Sequence, residues 1–132
     1  MEDSIFTKII KGEIPCHKVY EDDRVIAFLD VHPQTTGHTL VVPKRQIDDI
    51  WDMDTDDYDN LWTVVRFLAP HIREVIGSKR VGVVVEGFGV PHVHVHLIPI
   101  NRGEELKQPQ DLEVEIDHAT LAEIAKKLHV DN

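Results

Sequence analysis

The chain has 132 residues, with 14 Lys and Arg against 24 Asp and Glu, and a formal net charge of −10 at pH 7. A chain of this length buries about two-thirds of its unfolded surface, so residues 1–132 are expected to form a single domain. The acidic balance argues against a nucleic-acid or membrane partner, because both present negatively charged phosphates.

The N-terminal third of the chain is predicted to form one short helix and three strands. The stretch "DSIFTKIIKGEIP" predicts a short helix that Asp3 or Ser4 can cap, and Gly12 is expected to end it. The stretches "KVYEDD" and "RVIAFLD" are typical of two strands joined by an acidic turn. After the loop "HPQTTG", the stretch "HTLVVPK" predicts a third strand that ends near Pro43.

The rest of the chain alternates between helical and extended patterns. From Thr55 to Gly77 apolar residues recur every three or four positions, which predicts a long helix with a kink at Pro70. The valine run in "RVGVVVEG" predicts a buried fourth strand, and "HVHVHLIPI" predicts a fifth. Residues 101–132 are interpreted as a C-terminal extension that ends in an amphipathic helix capped by Asp117.

These elements together predict the fold class. Short connections between consecutive strands favour hairpins, and therefore antiparallel pairing. The prediction is an α+β fold in which a five-stranded antiparallel sheet packs against a long helix and two terminal helices.

The cysteine content, the apolar runs and the N-terminal stretch predict the cellular compartment of the protein. Cys16 is the only cysteine, so no intramolecular disulfide can form. No apolar run approaches the ~20 residues of a membrane span, and "MEDSIFTKII" lacks the basic-then-apolar order of a signal peptide. We therefore expect a cytoplasmic protein.

Three histidines in "PHVHVHLIPI" carry the strongest chemical signal. His92, His94 and His96 occupy alternate positions, so on a strand they share one face at spacings of about 6.6–6.8 Å. Imidazoles are costly to bury without hydrogen-bond partners, which favours a functional role. One such role is zinc binding. The other is nucleophilic attack on phosphorus by a neutral imidazole, assisted by its neighbours, and spacing leaves both roles open.

Two glycines precede the histidines in "EGFGVP". Gly87 and Gly89 permit close approach of the backbone to a ligand, and exposed amides at this point can hold an anion. An ordinary tight turn is the alternative interpretation of the same pair.

The motif "HVHVHLIP" resembles that of the histidine-triad (HIT) nucleotide-binding family. The stretches "SIFTKIIKGEIP" and "KVYEDDRVIAFLDVHPQTTGHTLVVPK" resemble the same family in order and spacing, so the likeness covers most of residues 4–100. The resemblance implies a homodimer of α+β subunits that binds purine nucleotides and cleaves bonds at the α-phosphate. It implies no metal or other cofactor for that chemistry.

The resemblance also implies a role for each matching residue. His94 would be the nucleophile, His96 would contact the phosphate and leaving group, His92 would orient His94, and His38 would complete the catalytic group. Asp30 would accept hydrogen bonds from the ribose hydroxyls. The other implied nucleotide-binding residues line the base and ribose or lie just before the triad: Ile5, Phe6, Ile9, Phe28, Leu29, Val31, Leu40, Gly87, Gly89 and Val90.

The chain departs from the family pattern at two places. Phe88 and Gly89 stand where better-known members carry polar residues that touch the phosphate. Ser4 and Thr7 stand where some members carry the Cys-x-x-Cys of a structural zinc, and Gln46 replaces a zinc-binding histidine. We therefore predict no structural zinc.

The functional hypothesis is a hydrolase or transferase that acts on purine nucleoside 5′-phosphoramidates or related adenylated compounds through a covalent nucleotidyl-His94. Three alternatives stay open at this point. They are a dinucleoside polyphosphate hydrolase, a non-catalytic nucleotide sensor or interaction protein, and a metal-dependent hydrolase that uses the three histidines as ligands.

Overall fold

A computed structural model describes residues 2–132 and contains three α-helices and five strands. In chain order these are α1 (Ile5–Ile10), β1 (Lys18–Glu21), β2 (Val25–Leu29), β3 (Thr39–Pro43), α2 (Thr55–Ile76), β4 (Arg80–Val84), β5 (Val95–Ile100) and α3 (His118–Leu128). The strand order is β1-β2-β3-β5-β4, and every neighbouring pair is antiparallel. The predicted α+β fold with a five-stranded antiparallel sheet is confirmed.

The two faces of the sheet bury different sets of side chains. On one face, α2 packs across β3, β5 and β4, while α3 packs on β1 and β2. Ala27, Val41 and Leu97 point to this face and are completely buried. On the other face, Phe6 of α1 covers Phe28 and its neighbours. Because strand residues alternate, this second face is also the one that the imidazoles can reach.

Each helix begins with a side-chain cap that satisfies a free amide of its first turn. The Ser4 hydroxyl accepts a hydrogen bond from the Thr7 amide at 3.0 Å, and Asp54 caps α2 in the same way. Asp117 caps α3 by accepting from the Thr120 amide at 3.0 Å, as predicted. The helix α2 continues through Pro70 to Ile76 and is capped at its C-terminus by Gly77, whose φ of 79° suits glycine.

The fourth and fifth strands differ from their predicted form. The strand β4 pairs only with β5 in the described part of the chain, so it is an edge strand, and Val83 is 47% exposed. The prediction of a buried fourth strand was therefore wrong. The strand β5 begins at Val95, because the amide of Val93 donates to the Ile47 carbonyl at 2.8 Å instead of joining the ladder. His92 and His94 thus precede the strand.

Helix length and hydropathy also bear on membrane association. Among residues 2–132, no helix combines the length and the apolar character needed to cross a bilayer.

Candidate active site

Four imidazoles gather on the α1 face of the sheet. The ring centroids of His94 and His96 are 4.9 Å apart, and those of His96 and His38 are 5.1 Å apart. Phe6 lies edge-on to His94 at 4.9 Å between ring centroids. His92, His94 and His38 are buried and His96 is partly buried, so the cluster is largely shielded from solvent.

Hydrogen bonds assign the proton positions of His38 and His96. The Gln34 amide donates to Nδ1 of His38 at 3.1 Å, so the hydrogen of a neutral His38 lies on Nε2. That Nε2 is 2.9 Å from Nδ1 of His96 and donates to it. The hydrogen of a neutral His96 therefore lies on Nε2, where it can be donated to a ligand.

The same reasoning leaves His94 with a nucleophilic nitrogen. Its Nδ1 lies 2.7 Å from the main-chain carbonyl oxygen of His92, which can only accept. The ring must therefore donate from Nδ1 and keep its lone pair on Nε2, which is the form that attacks phosphorus. His92 orients His94 through its carbonyl group, and not through its ring.

The ring of His92 is fully engaged elsewhere. Its Nε2 donates to the Pro43 carbonyl oxygen at 2.7 Å, so its Nδ1 accepts from the Ser4 hydroxyl, also at 2.7 Å. With both nitrogens hydrogen-bonded in the interior, His92 cannot ligate a metal together with His94 and His96. This geometry disfavours the three-imidazole metal centre that spacing left open.

Ser4, Thr7 and Gln46, which stand where the resembled family can carry structural zinc ligands, form a hydrogen-bonded cluster. The Thr7 hydroxyl donates to Oε1 of Gln46 at 2.7 Å, and the Ser4 amide donates to the same oxygen at 2.9 Å. Two hydroxyls and a neutral amide are weak zinc ligands compared with thiolates and imidazole. The residues present therefore do not fit a structural zinc, and hydrogen bonds tie α1 to the Gln46 loop and to His92.

A second group of possible metal ligands lies at the end of β2. Asp30, His38 and His96 each place one donor atom within 4.8 Å of the others. Two of those atoms, Nε2 of His38 and Nδ1 of His96, already share a hydrogen bond of 2.9 Å. A metal could bind only by breaking that bond and displacing its proton, so the group is better suited to positioning His96.

Burial favours the neutral form of three of these imidazoles, His38, His92 and His96. Burial lowers the pKa of His38 to about 4, and positive charge on His96 or His94 would lower it further, while Asp30 raises it. Burial also lowers the pKa of His96 and of His92 below the ordinary value. The neutral forms of His38, His92 and His96 at neutral pH agree with the hydrogen bonds described above.

The lowered pKa of His38 makes stability depend on pH. The unfolded chain binds a proton at this ring near pH 6.5, whereas the folded chain binds it only near pH 4. As pH falls below 6.5 the unfolded state gains the proton first, so the folded state loses the stability that is fully present above pH 6.5. Between pH 7 and pH 5 the wild type should lose about 2 kcal/mol more unfolding free energy than the variant His38→Gln. Urea unfolding at the two pH values measures this difference, and parallel pH dependence in the two proteins would contradict it.

The predicted ribose acceptor lies just past β2. Oδ1 of Asp30 accepts from the His32 amide at 2.9 Å, and Oδ2 accepts from the Gln110 side chain at 2.8 Å. Nε2 of His38 is 3.7 Å from the same Oδ2. The sequence pattern gives no signal for Gln110, because it lies 80 residues from Asp30 in a polar stretch without periodicity.

The predicted apolar residues divide between the two faces of the sheet. Six of them line or adjoin the imidazole face: Phe6, Phe28 and Leu40 in its buried cluster, Ile9 and Val90 packed against that cluster, and the exposed Ile5 on α1. Leu29 and Val31 pack in the cluster beneath α2 and α3. Both also line a cavity of about 320 Å³ whose wall includes His38, the one imidazole of the cluster among its lining residues.

The loop before the triad is open and partly aromatic. Gly87 has a φ of 88°, which favours glycine, and Phe88 is 92% exposed. Gly89 shows no such positive φ. A cavity of about 290 Å³ lies between this loop and the Asp48–Trp51 segment, and His94 contributes to its wall. Neither Phe6 nor Phe28 lines this cavity, which has room for part of a ligand.

Gly37 positions His38 through its backbone. Its φ is 91°, and an added Cβ would lie 2.8 Å from Cγ1 of Ile76. We expect Gly37→Ala to cost about 2–4 kcal/mol of unfolding free energy, because backbone strain and overpacking add. Gly12→Ala is the matched control, since Gly12 has a φ of 80° but its Cβ would meet open space among residues 2–132. Equal losses for the two variants in urea unfolding would contradict the steric argument.

Comparison with known proteins identifies relatives along most of the chain. The family model described as "HIT domain" matches residues 11–103. An uncharacterized HIT-like protein of Borreliella burgdorferi is 36% identical over 89% of this chain and 91% of its own length. The adenylylsulfatase HINT3 of Arabidopsis thaliana is 32% identical over 74% of this chain and 52% of its own length.

Solved structures with the same fold agree with the sequence relatives. A hypothetical histidine triad nucleotide-binding protein from Sulfolobus tokodaii superposes with a TM-score of 0.82 at 27% identity. The match covers 94% of this chain and 88% of that chain.

Proposed function

The chain belongs to the HIT domain family, and we propose that it binds purine nucleotides and cleaves them at the α-phosphate through a covalent nucleotidyl-His94. The proposed substrates are nucleoside 5′-phosphoramidates or related adenylated compounds. The observation that carries the proposal is the pair of opposite tautomers at His94 and His96. Their hydrogen bonds leave a lone pair on Nε2 of the first ring and a hydrogen on Nε2 of the second.

The two rings divide the reaction between them. Nε2 of His94 forms a bond to phosphorus, and the bond from phosphorus to the leaving group breaks. The departing amine takes a proton through the Nε2–H of His96. Water then displaces His94 from phosphorus and releases the nucleoside monophosphate, and the proton lost by that water balances the one taken by the amine.

The surroundings supply the remaining interactions. The carboxylate of Asp30 can accept from the ribose hydroxyls, and the Phe6 and Phe28 cluster offers an apolar surface to the base. The main-chain amides of Gly87 and Gly89 can contact phosphate oxygens in place of the polar side chains that are missing here, whereas the Phe88 amide between them already donates to Oε1 of Glu86 at 3.2 Å. The adenylylsulfatase activity named for the Arabidopsis relative is a related reaction at an adenylyl phosphate.

Two other functions use the same pocket. A dinucleoside polyphosphate hydrolase would need the cavity beside Trp51 and Phe88 to accept the second nucleotide. A nucleotide sensor would bind without turnover. The opposite tautomers of His94 and His96 favour catalysis, because binding alone does not require a nitrogen lone pair aimed at phosphorus.

The exposed edge of β4 supports the homodimer that we also propose. Val83 in β4 and Val85 just after it are exposed, and an apolar depression between α2 and β4 is lined by Trp62, Val65 and Val81. Unpaired edge strands and apolar faces are stabilised by a second copy. Light scattering should give a mass of two chains, and Val83→Asp should shift it to one.

Trapping the intermediate tests the central proposal. The protein is mixed with adenosine 5′-phosphoramidate, quenched in milliseconds and digested for mass spectrometry. We expect an added adenylate on the peptide that contains His94. Steady turnover with the label on another residue, or turnover that stops only on metal chelation, would contradict the covalent mechanism.

A further inference from the structure

The C-terminal segment folds back over the end of β2. We call residues 107–117, between the Gly103–Leu106 turn and α3, the strap. The Gln34 side chain donates to the main-chain carbonyl of Gln108, and this contact holds the strap against the loop after β2. Two residues later, the side-chain Nε2 of Gln110 donates to Oδ2 of Asp30 at 2.8 Å and to the His32 carbonyl oxygen at 2.9 Å. The strap thus delivers one side chain to the proposed ribose acceptor.

The hydrogen bond from Gln110 leaves acceptor positions free on the Asp30 carboxylate. An ionised carboxylate has about four acceptor positions, two on each oxygen. Asp30 uses one on Oδ1 for the His32 amide and one on Oδ2 for Gln110. One position on each oxygen is left, which is the pattern that a vicinal diol requires. Oε1 of Gln110 accepts no hydrogen bond from residues 2–132 and can accept from a hydroxyl beside Asp30.

We propose that Gln110 is a positioning residue for sugar recognition, which holds the Asp30 carboxylate so that both of its oxygens face the 2′- and 3′-hydroxyls of a ribonucleotide. This inference rests on the proposed function, because it takes Asp30 as the ribose acceptor. Gln110, which lies outside the triad and its flanking strands, would then help the site to distinguish ribose from sugars that lack the 2′,3′-diol.

A competing partner explains why Asp30 needs this restraint. Nε2 of His38 lies 3.7 Å from Oδ2 of Asp30 while it donates to His96 at 2.9 Å. Without Gln110, the carboxylate can turn toward His38 and draw that hydrogen away from His96. Gln110 therefore keeps Asp30 available to the sugar and keeps His38 donating to His96.

The test compares nucleotides that differ only in their hydroxyls. Isothermal titration measures the Kd of adenosine 5′-monophosphate and of 2′,3′-dideoxyadenosine 5′-monophosphate for the wild type and for Gln110→Ala. We expect Gln110→Ala to weaken binding of the ribonucleotide about tenfold, the effect of misaligning hydrogen bonds to a charged group. Binding of the dideoxynucleotide should stay within about twofold of the wild type, because it does not use Asp30.

Gln108→Ala is the matched control. Gln108 has the same side chain, lies on the same strap and contributes its main-chain carbonyl to the Gln34 contact. The variant Gln108→Ala should bind both nucleotides with the Kd values of the wild type. Equal weakening of both nucleotides by Gln110→Ala would show a merely structural role, and tighter ribonucleotide binding would show a competitor for Asp30. Either result, or no change at all, overturns the inference. A wild type that binds neither nucleotide would instead contradict the proposed function.

Discussion

Replacement of His94 by alanine is expected to lower the turnover of adenosine 5′-phosphoramidate by about 10⁴-fold or more, because the covalent step loses its nucleophile. Nδ1 of His94 donates to the His92 carbonyl at 2.7 Å, so the substitution also removes one buried hydrogen bond. The proposed nucleoside pocket lies on the neighbouring strands β2 and β3. Affinity for adenosine 5′-monophosphate should therefore change by less than about tenfold. Rapid-quench kinetics and isothermal titration measure the two quantities.

Two comparisons make this prediction specific. His129→Ala alters an exposed histidine that lies near Asp131 and away from the imidazole cluster, and it should leave turnover unchanged. Residual turnover near the wild-type rate in His94→Ala would exclude a nucleophilic role for this ring. A wild type without turnover on any adenylated substrate would favour the sensor hypothesis instead.

Introducing cysteine at positions 4 and 7 and histidine at position 46 is expected to create a zinc site that raises the unfolding free energy. Hydroxyl oxygens of Ser4 and Thr7 lie 3.3 Å apart and lie 2.7 Å and 3.4 Å from Nδ1 of His92. The Thr7 hydroxyl is 2.7 Å from Oε1 of Gln46. These separations approach those between the ligands of a tetrahedral zinc. The ring of His92 already donates its other nitrogen to the Pro43 carbonyl, as zinc-binding histidines usually do.

The triple variant Ser4→Cys, Thr7→Cys, Gln46→His should therefore bind one zinc ion. With free zinc about a thousandfold above Kd, binding adds about 4 kcal/mol to the unfolding free energy, and the Tm should rise on the order of 10 °C. Calorimetry with and without a chelator measures the shift. The wild type treated in the same way serves as the control, and an equal response in both proteins would contradict the assignment of these positions.

Much of the site could be predicted because local sequence rules apply to it directly. Alternation along "HVHVHLIPI" places His94 and His96 on one face, and the structure brings their rings to 4.9 Å. The caps of α1 and α3 follow from hydroxyl and carboxylate side chains at the positions that leave free amides. The resemblance to the family added His38 and Asp30, which no local spacing connects to the triad.

Other features depended on contacts that no local pattern contains. The first two histidines lie outside β5 because the loop at Ile47 takes the Val93 amide, and β4 is exposed because it is the edge of the sheet. Leu29 and Val31 match family positions, yet their side chains point beneath α2 and α3.

The sequence by itself determined the elements, the α+β class and the shared face of His94 and His96, because helix and strand periods relate residues only a few positions apart. Only the tertiary structure decided which nitrogen of each ring carries the hydrogen, and that Gln110 reaches Asp30. Those properties follow from hydrogen-bond partners such as Gln34, Pro43 and the strap, which the folded sheet brings together from distant parts of the chain.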